Sequence, residues 1–401
     1  MQTRVFLFRL PLYLSIRIIV SRINMEFLKT HRKYLALLLL AFIIMLFFYG
    51  RIDYSSDSFR NWDLKHYDAM AEAAPAINHN IPQPFAFRIL GPILAGLMPF
   101  QTDFSFYILS LIAVLSLLIL LYYYLIEHGV SCAIALVITV ALLCNPYFIG
   151  LNIWDYFQLN DTLALLTILL AYIFIEKHQW FYLAVTLALG ALARETWILI
   201  VPAGYMLLFQ SRFGRCKFLP YTLSIFPAII IAIIIRIYID PVGGHSLPDA
   251  FKMHAEKLFH PGPWGGLTIN SILPLTPIPL IFYNRAFEFL RSRPDCILIY
   301  ILVFISALFG SDNERLMAPA FIAIYPLAGY LLTKIAFRGR IFTGILLLLI
   351  FLNSFHLIYG RYTFPDETTM KLVRLGLLAA TFILFLFFKG YRSIPRSDES
   401  A

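Results

Sequence analysis

Long apolar runs separated by short polar segments dominate this chain. A helix needs about 20 apolar residues to cross the hydrocarbon core of a bilayer. Nine runs meet that length or approach it, at 34–50, 103–126, 130–147, 159–175, 218–238, 295–310, 316–334, 341–358 and 371–388. Three shorter runs, at 180–194, 196–209 and 270–284, are short enough to be re-entrant. The pattern predicts an all-α polytopic membrane protein with about 10–12 transmembrane helices.

The stretch at 180–209 allows two interpretations. As one helix of 30 residues, it would be about 45 Å long at roughly 1.5 Å per residue, whereas the hydrocarbon core is about 30 Å thick. One helix would also place Arg194 and Glu195 near its middle, where ionisable groups are costly. We therefore expect a hairpin that turns at these two residues.

Composition and charge agree with this architecture. Hydrophobic residues make up 60% of the chain and charged residues 14%, with a mean hydropathy of +0.77, which excludes an ordinary soluble domain. With both termini inside, the inner segments carry 20 of the 32 Lys and Arg residues. This asymmetry is the positive-inside rule. We therefore interpret the net charge of +9 as cytoplasmic anchoring rather than nucleic-acid binding. Most carboxylates fall on the outer side.

These assignments divide the chain into a basic cytoplasmic N-terminus, one transmembrane domain with two long outer loops, and a short cytoplasmic tail. The boundaries are 1–33, 34–388 and 389–401, and the outer loops are 51–102 and 239–270. Residues 5–23 are apolar but interrupted by arginines, so an interfacial helix and an extension upstream of a start at Met25 both fit. The four cysteines and the histidines of the second loop match no metal-binding spacing.

The first outer loop is the most informative stretch. Five carboxylates lie within 20 residues of it, at Asp53, Asp57, Asp63, Asp68 and Glu72. WDLKHYDAMAEAA is typical of a helix, on which residues four apart share a face. Asp63 could cap that helix, act as a general base on a sugar hydroxyl, or hold a divalent cation (Mg²⁺ or Mn²⁺) together with Asp68. Spacing does not separate these roles.

WDLKHYDAMA followed by PFAFRILGPILAG resembles the first outer loop of GT-C-type membrane glycosyltransferases, in particular bacterial mannosyltransferase-like relatives. Those enzymes transfer a sugar from a polyprenyl-phosphate donor on the outer face of the membrane. The resemblance implies a GT-C-like fold and a catalytic Asp in this loop. It places that role on Asp63, with Asp68 as the second choice.

Three further polar sites open to the same side on the preferred topology. They are Asn160 with Asp161, Arg194 with Glu195, and Asp312 with Glu314 and Arg315. Each also has a simpler interpretation, respectively a helix N-cap, a pair that neutralises itself and a solvated turn. The resemblance extends over these segments, along roughly residues 34–335, through the RET-like step and the D.eR…aP pattern.

The chemistry of such an enzyme assigns roles to these side chains. Arginine binds phosphate with a rigid bidentate fork, so the donor phosphate is assigned to Arg88, Arg194 and Arg315, with Lys65 as a weaker candidate. Asp63 is the base, and Trp62 and Tyr67 are placed to stack on a sugar ring. Asp161, Glu195, Asp312 and Glu314 support the arginines.

The resemblance therefore implies an inverting glycosyltransferase of the cell envelope, in the bacterial inner membrane, with its site facing the periplasm or the outside. Its partners are a lipid-linked sugar donor, membrane lipid, and a glycan, lipid or protein acceptor. Two alternatives stay open. One is a transporter or flippase for a lipid-linked sugar or an anionic solute, which should show related halves and broken helices; the other is a polysaccharide polymerase.

Overall fold

The computed structural model describes residues 25–54, 63–210, 214–239, 241–243, 252, 254, 259–308, 310, 312–335, 340–358 and 366–393. All regular secondary structure in these ranges is helical. The main helices are α1 Met25–Tyr49, α2 Leu64–Ala73, α3 Leu90–Gly96, α4 Thr102–Glu127, α5 Cys132–Leu143, α6 Leu159–Glu176, α7 Trp180–Ala193, α8 Ile200–Gln210, α9 Gly214–Tyr238, α10 Pro261–Thr268, α11 Tyr283–Ser292, α12 Pro294–Leu308, α13 Phe321–Lys334, α14 Arg340–Ile358 and α15 Glu367–Ser393. The prediction of an all-α protein is confirmed for the described residues.

Several helices are long and apolar enough to cross a membrane. Within the described residues there are six, or seven if the bent pair Cys132–Leu143 and Pro146–Trp154 counts as one span. Shorter apolar helices lie at Trp180–Ala193, Glu195–Gln210, Pro294–Leu308 and Ile341–Phe355. Isoleucines of α9 such as Ile233 and Ile237 are 51% and 80% exposed, as expected of side chains that face lipid. The chain is a multi-pass membrane protein.

The apolar run at 130–147 is a broken helix. Helix α5 ends at Leu143, and the following helical residues bend by 58°. The break lies at Asn145, which is fully buried and whose Oδ1 accepts the backbone N–H groups of Tyr147 and Phe148, at 3.0 Å each. The amide therefore caps the helical segment that begins at Pro146.

The stretch at 180–209 is a hairpin, as the length argument predicts. Helices α7 and α9 run parallel, since His178 contacts Lys217 and Trp180 contacts Tyr221. Helices α8 and α9 run antiparallel, because Tyr221 donates to the Val201 carbonyl while Tyr205 packs on Phe218. The chain therefore reverses between α7 and α8, where Arg194 has an extended backbone.

The run at 270–284, which is short enough in sequence to be either a crossing or a re-entrant segment, does not form one continuous helix. It consists of a 3₁₀ turn at Asn270–Ile272, the short helix Pro277–Ile281 and the start of α11. The segment nevertheless passes from one end of the bundle to the other, since Gly266 lies against Glu314 and Phe289 packs on Tyr330. Prolines at 274, 277 and 279 disfavour a continuous helix, because each lacks the N–H that a helix interior requires.

The helix directions define two ends of the bundle. One end, here called the site end, contains α2, α3, the start of α6, the turn between α7 and α8, and residues 312–315. The other end contains a buried ionic network in which Arg293 pairs with Asp295 and with Glu176, at 2.9 and 3.1 Å. His128 also contacts Glu176, at 3.2 Å. This second network fixes the ends of α4, α6 and α12 at the face opposite the site.

Candidate active site

Helix α2 places Asp63 at the site end. Tyr67, Met70 and Ala71 form its buried face, and Gly96 of α3 packs so tightly against Ala71 that a Cβ there would clash with the Ala71 carbonyl oxygen. Asp63 occupies the N-cap position of α2, but its side chain makes no capping hydrogen bond. The capping role is therefore not observed. The carboxylate instead accepts a hydrogen bond from Gln158 Nε2 at 3.0 Å.

Gln158 belongs to a short polar turn before α6 that sequence reasoning missed. Its Nε2 also donates to Asp155, at 3.2 Å. Asp155 in turn accepts the hydroxyl hydrogen of Tyr54, at 2.5 Å. The two turn residues, Asp155 and Gln158, are each 3% exposed. A hydrogen-bonded chain therefore connects Asp63 to a buried carboxylate. The sequence signal for this turn is the group of polar residues in the segment DYFQLND, which lies between two apolar runs.

Asp161 is the buried acid at the centre of the site. It lies in the first turn of α6, is 5% exposed, and forms ion pairs with Arg194 and, at 3.8 Å, with Arg315. Arg194 comes from the α7–α8 turn and Arg315 from the segment before α13. Asp161 therefore joins three chain segments that are more than 30 residues apart. Because burial penalises an unpaired charge, both arginines depend on the Asp161 carboxylate.

Arg88 provides the third guanidinium. Its Nε lies 3.4 Å from Glu195 Oε2, and its side chain is 11% exposed. Burial by itself would lower the pKa of Arg88, but the Glu195 carboxylate and the Tyr67 hydroxyl raise it above its usual range. Arg88 also interacts electrostatically with Asp161. The adjacent Arg194 and Glu195 thus do more than neutralise one another, because each pairs with a residue from a distant segment.

Asn160 fixes the loop that carries Arg88. Its Oδ1 accepts the Gly91 backbone N–H and its Nδ2 donates to the Arg88 carbonyl, both at 2.9 Å. A Cβ on Gly91 would lie 2.9 Å from that amide oxygen, so the close approach requires glycine. Asn160 is therefore a tertiary anchor for Arg88 rather than the N-cap of α6, and Asp161 is likewise an ion-pair partner rather than a cap.

The outer rim of the cluster is partly open. Asp312 pairs with Arg315 at 3.3 Å and its side chain is 37% exposed, as is that of Glu195. Beneath the rim, Asp161, Arg194, Thr196 and Arg315 line a cavity of about 10 Å³, enough for one water molecule. A sugar ring does not fit into this cavity, so a bound substrate would contact the side chains of the rim.

The chain matches no protein-family profile, no curated protein and no solved structure.

Four of the residues expected at the site lie apart from this cluster or outside the part of the chain that the structure describes. Lys65 is exposed. Asp68 is influenced by Glu72 and Asp103, and burial together with those charges raises its pKa. Glu314 lies against Gly266 of α10. Trp62 lies outside the described residues.

A metal pair of Asp63 and Asp68, one of the roles that the spacing leaves open, is not supported by the side-chain arrangement. The Asp63 carboxylate faces an amide donor and the Arg315 charge, whereas Asp68 faces other carboxylates. In the described part of the chain no group of three or more His, Cys, Asp or Glu side chains could hold a metal ion.

Proposed function

We propose that this protein is a membrane glycosyltransferase that moves a sugar from a polyprenyl-phosphate donor to an acceptor on the non-cytoplasmic face. The observation that carries the proposal is the convergence, at one end of the bundle, of one partly exposed carboxylate with three guanidiniums. Asp63 comes from the first outer loop, and Arg88, Arg194 and Arg315 come from three other segments. These are the groups that the transfer of a sugar from a phosphate requires.

In the proposed reaction, the acceptor hydroxyl loses its proton to Asp63 as its oxygen bonds to the anomeric carbon. The bond between that carbon and the phosphate oxygen breaks, and polyprenyl phosphate leaves. A single displacement inverts the anomeric configuration. A positioned general base contributes about 10²- to 10⁴-fold to such a step.

The leaving phosphate gains negative charge, which the arginines would stabilise. Arg88, Arg194 and Arg315 carry three positive charges, and the buried Asp161 and the partly exposed Glu195 carry two negative charges. The excess is balanced by Asp312 at the exposed rim, where an incoming phosphate could replace it. Fixed positive charge in a site of low polarity is commonly a large part of catalysis.

The proposal is tested with the purified protein in liposomes. The donors are radiolabelled polyprenyl-phosphate mannose, glucose and arabinose, and the acceptor is a membrane extract. We expect the Asp63→Asn variant to lose at least about 100-fold in transfer, as expected when a general base is removed. Its expression level and unfolding temperature should match those of the unchanged protein.

Asp68→Asn is the matched control, because it alters the same charge on the same helix. It should retain transfer within about twofold, since a carboxylate that does not act as the base contributes little to the chemical step. Full activity of Asp63→Asn would remove the base assignment. Loss in Asp68→Asn alone would move the role to Asp68.

One observation favours a transporter as the second candidate. Two interrupted segments meet inside the bundle, where Asn145 Nδ2 donates to the Ser271 carbonyl at 2.9 Å. Broken helices near the midplane are typical of secondary transporters. The liposome experiment separates the two functions: movement of labelled donor to the other leaflet without a glycosylated product supports the transporter, and a glycosylated product supports the transferase.

A further inference from the structure

Gln158 lies between two carboxylates at the site end. Its Nε2 donates to Asp63 Oδ2 at 3.0 Å and to Asp155 Oδ2 at 3.2 Å. An amide nitrogen carries two hydrogens, so these bonds use both. Because both acceptors are carboxylate oxygens, only one orientation of the amide satisfies them.

The donor is held in place from the protein interior. Asp155 is 3% exposed and accepts the Tyr54 hydroxyl hydrogen at 2.5 Å. The Gln158 backbone N–H donates to the Asp155 carbonyl at 3.0 Å, which closes the turn. Gln158 therefore reaches Asp63 from a rigid, buried support, whereas Asp63 itself is partly exposed.

This arrangement leaves the two oxygens of Asp63 unequal. Oδ2 is engaged by Gln158, so Oδ1 is the oxygen left to accept a proton from a substrate hydroxyl. A base works efficiently only within hydrogen-bond reach of the proton that it removes, and supporting hydrogen bonds hold such groups in place.

We propose that Gln158, supported by Asp155, is a positioning residue that aims the Asp63 carboxylate at the acceptor hydroxyl. This inference rests on the proposed function. It assigns no chemistry to Gln158 itself, which acts only through Asp63.

A purely architectural role for the same turn must be distinguished from this one. The Ile52 backbone N–H donates to the Trp154 carbonyl at 2.9 Å, and the Tyr54 ring packs edge-on against Phe157 at 5.1 Å. The turn therefore also supports the chain that precedes α2. Loss of that support would lower stability and affect every Asp63 variant equally.

The test replaces Gln158 by methionine, which keeps the side-chain length and removes the donor. In the liposome assay, kcat of Gln158→Met should fall about 10-fold while KM changes less than about twofold, because an interaction needed only in the transition state is lost. In an Asp63→Asn background, the same change should cause no further loss, since residues that act as one unit are not additive. Tyr54→Phe, which leaves Gln158 and Asp63 in contact, should have a smaller effect.

An equal loss in both backgrounds, accompanied by a lower unfolding temperature, would overturn the positioning role. Unchanged kcat in Gln158→Met would also overturn it, provided that Asp63→Asn is impaired. If Asp63→Asn itself is fully active, the failure lies in the proposed function. Gln158→Asn, which keeps the amide on a shorter side chain, supplies the same comparison if the methionine variant does not fold.

Discussion

Asp161 shows how one buried side chain can determine a site. Its carboxylate is the shared partner of Arg194 and Arg315, and Asn160 beside it fixes the Arg88 loop. A single turn of α6 therefore orients all three guanidiniums. In the sequence, Asn160 and Asp161 resemble a helix-capping pair. Only their contacts in the folded protein reveal this role.

Removing the central charge should destabilise the protein strongly. Asp161→Asn leaves two buried guanidiniums with too little compensating charge, so we expect a loss of about 3–5 kcal/mol in the free energy of unfolding. Asp312→Asn is the control, because its carboxylate is more exposed and should contribute about 1 kcal/mol or less. Denaturant unfolding in micelles measures both; equal losses would contradict the central role of Asp161.

Asp68 should make stability depend on pH. Burial, with Glu72 and Asp103, raises its pKa in the folded protein, so the folded state holds this proton more tightly than the unfolded state. Stability from this group is present at low pH and decreases as pH rises from the ordinary carboxyl range through the raised pKa. The unfolding temperature of Asp68→Asn should therefore fall less between pH 4 and pH 7 than that of the unchanged protein. An identical pH profile would exclude this contribution.

At the scale of elements, the interrupted segments are the most unusual feature. Backbone groups that leave a helix inside a bilayer need partners from the protein, because no water is available there. Buried asparagines supply them: Asn145 donates to the Ser271 carbonyl, and Asn353 of α14 donates to the Leu273 carbonyl, both at 2.9 Å. The broken crossing at 261–292 thus depends on side chains from other segments.

Asn353→Leu should weaken this crossing, because the buried Leu273 carbonyl loses its donor. We expect a cost of about 1–3 kcal/mol in unfolding free energy and faster proteolysis near residue 273. Thr381→Val is the control, since the buried Thr381 hydroxyl donates only to the Leu377 carbonyl of its own helix, α15. Equal effects of the two changes would show that the Asn353 contact has no special role.

At the scale of the whole molecule, the two ends of the bundle differ in charge chemistry. The site end combines Asp63, Asp161 and three arginines. The opposite end contains Arg293 with Asp295 and Glu176, together with exposed Cys216 near the start of α9. If the end opposite the site is cytoplasmic, as the distribution of Lys and Arg along the sequence predicts, the site end faces outward.

A sidedness experiment checks this orientation with a native reporter. Cys144 and Cys296 are buried and Cys132 is partly buried, so an impermeant thiol reagent should label Cys216 first. In oriented vesicles, Cys216 should react only from the cytoplasmic side. In a Cys216→Ser background, the Asp312→Cys variant should react only from the opposite side. Labelling of both positions from one side would overturn the topology.

The sequence by itself determined the membrane class and nearly all of the long helices, because apolar length and helix geometry are local properties. It also predicted the reversal at Arg194, since charge at mid-membrane is costly. The partners of the polar residues were decided by the tertiary structure: Asp161 with two distant arginines, and Gln158 between Asp63 and Asp155. The contacts that stabilise the broken crossing at 261–292 were also not visible in the sequence, because Asn145 and Asn353 come from elsewhere in the chain. Apolar patterning reports which residues leave water, whereas the folded contacts decide which buried polar groups satisfy one another.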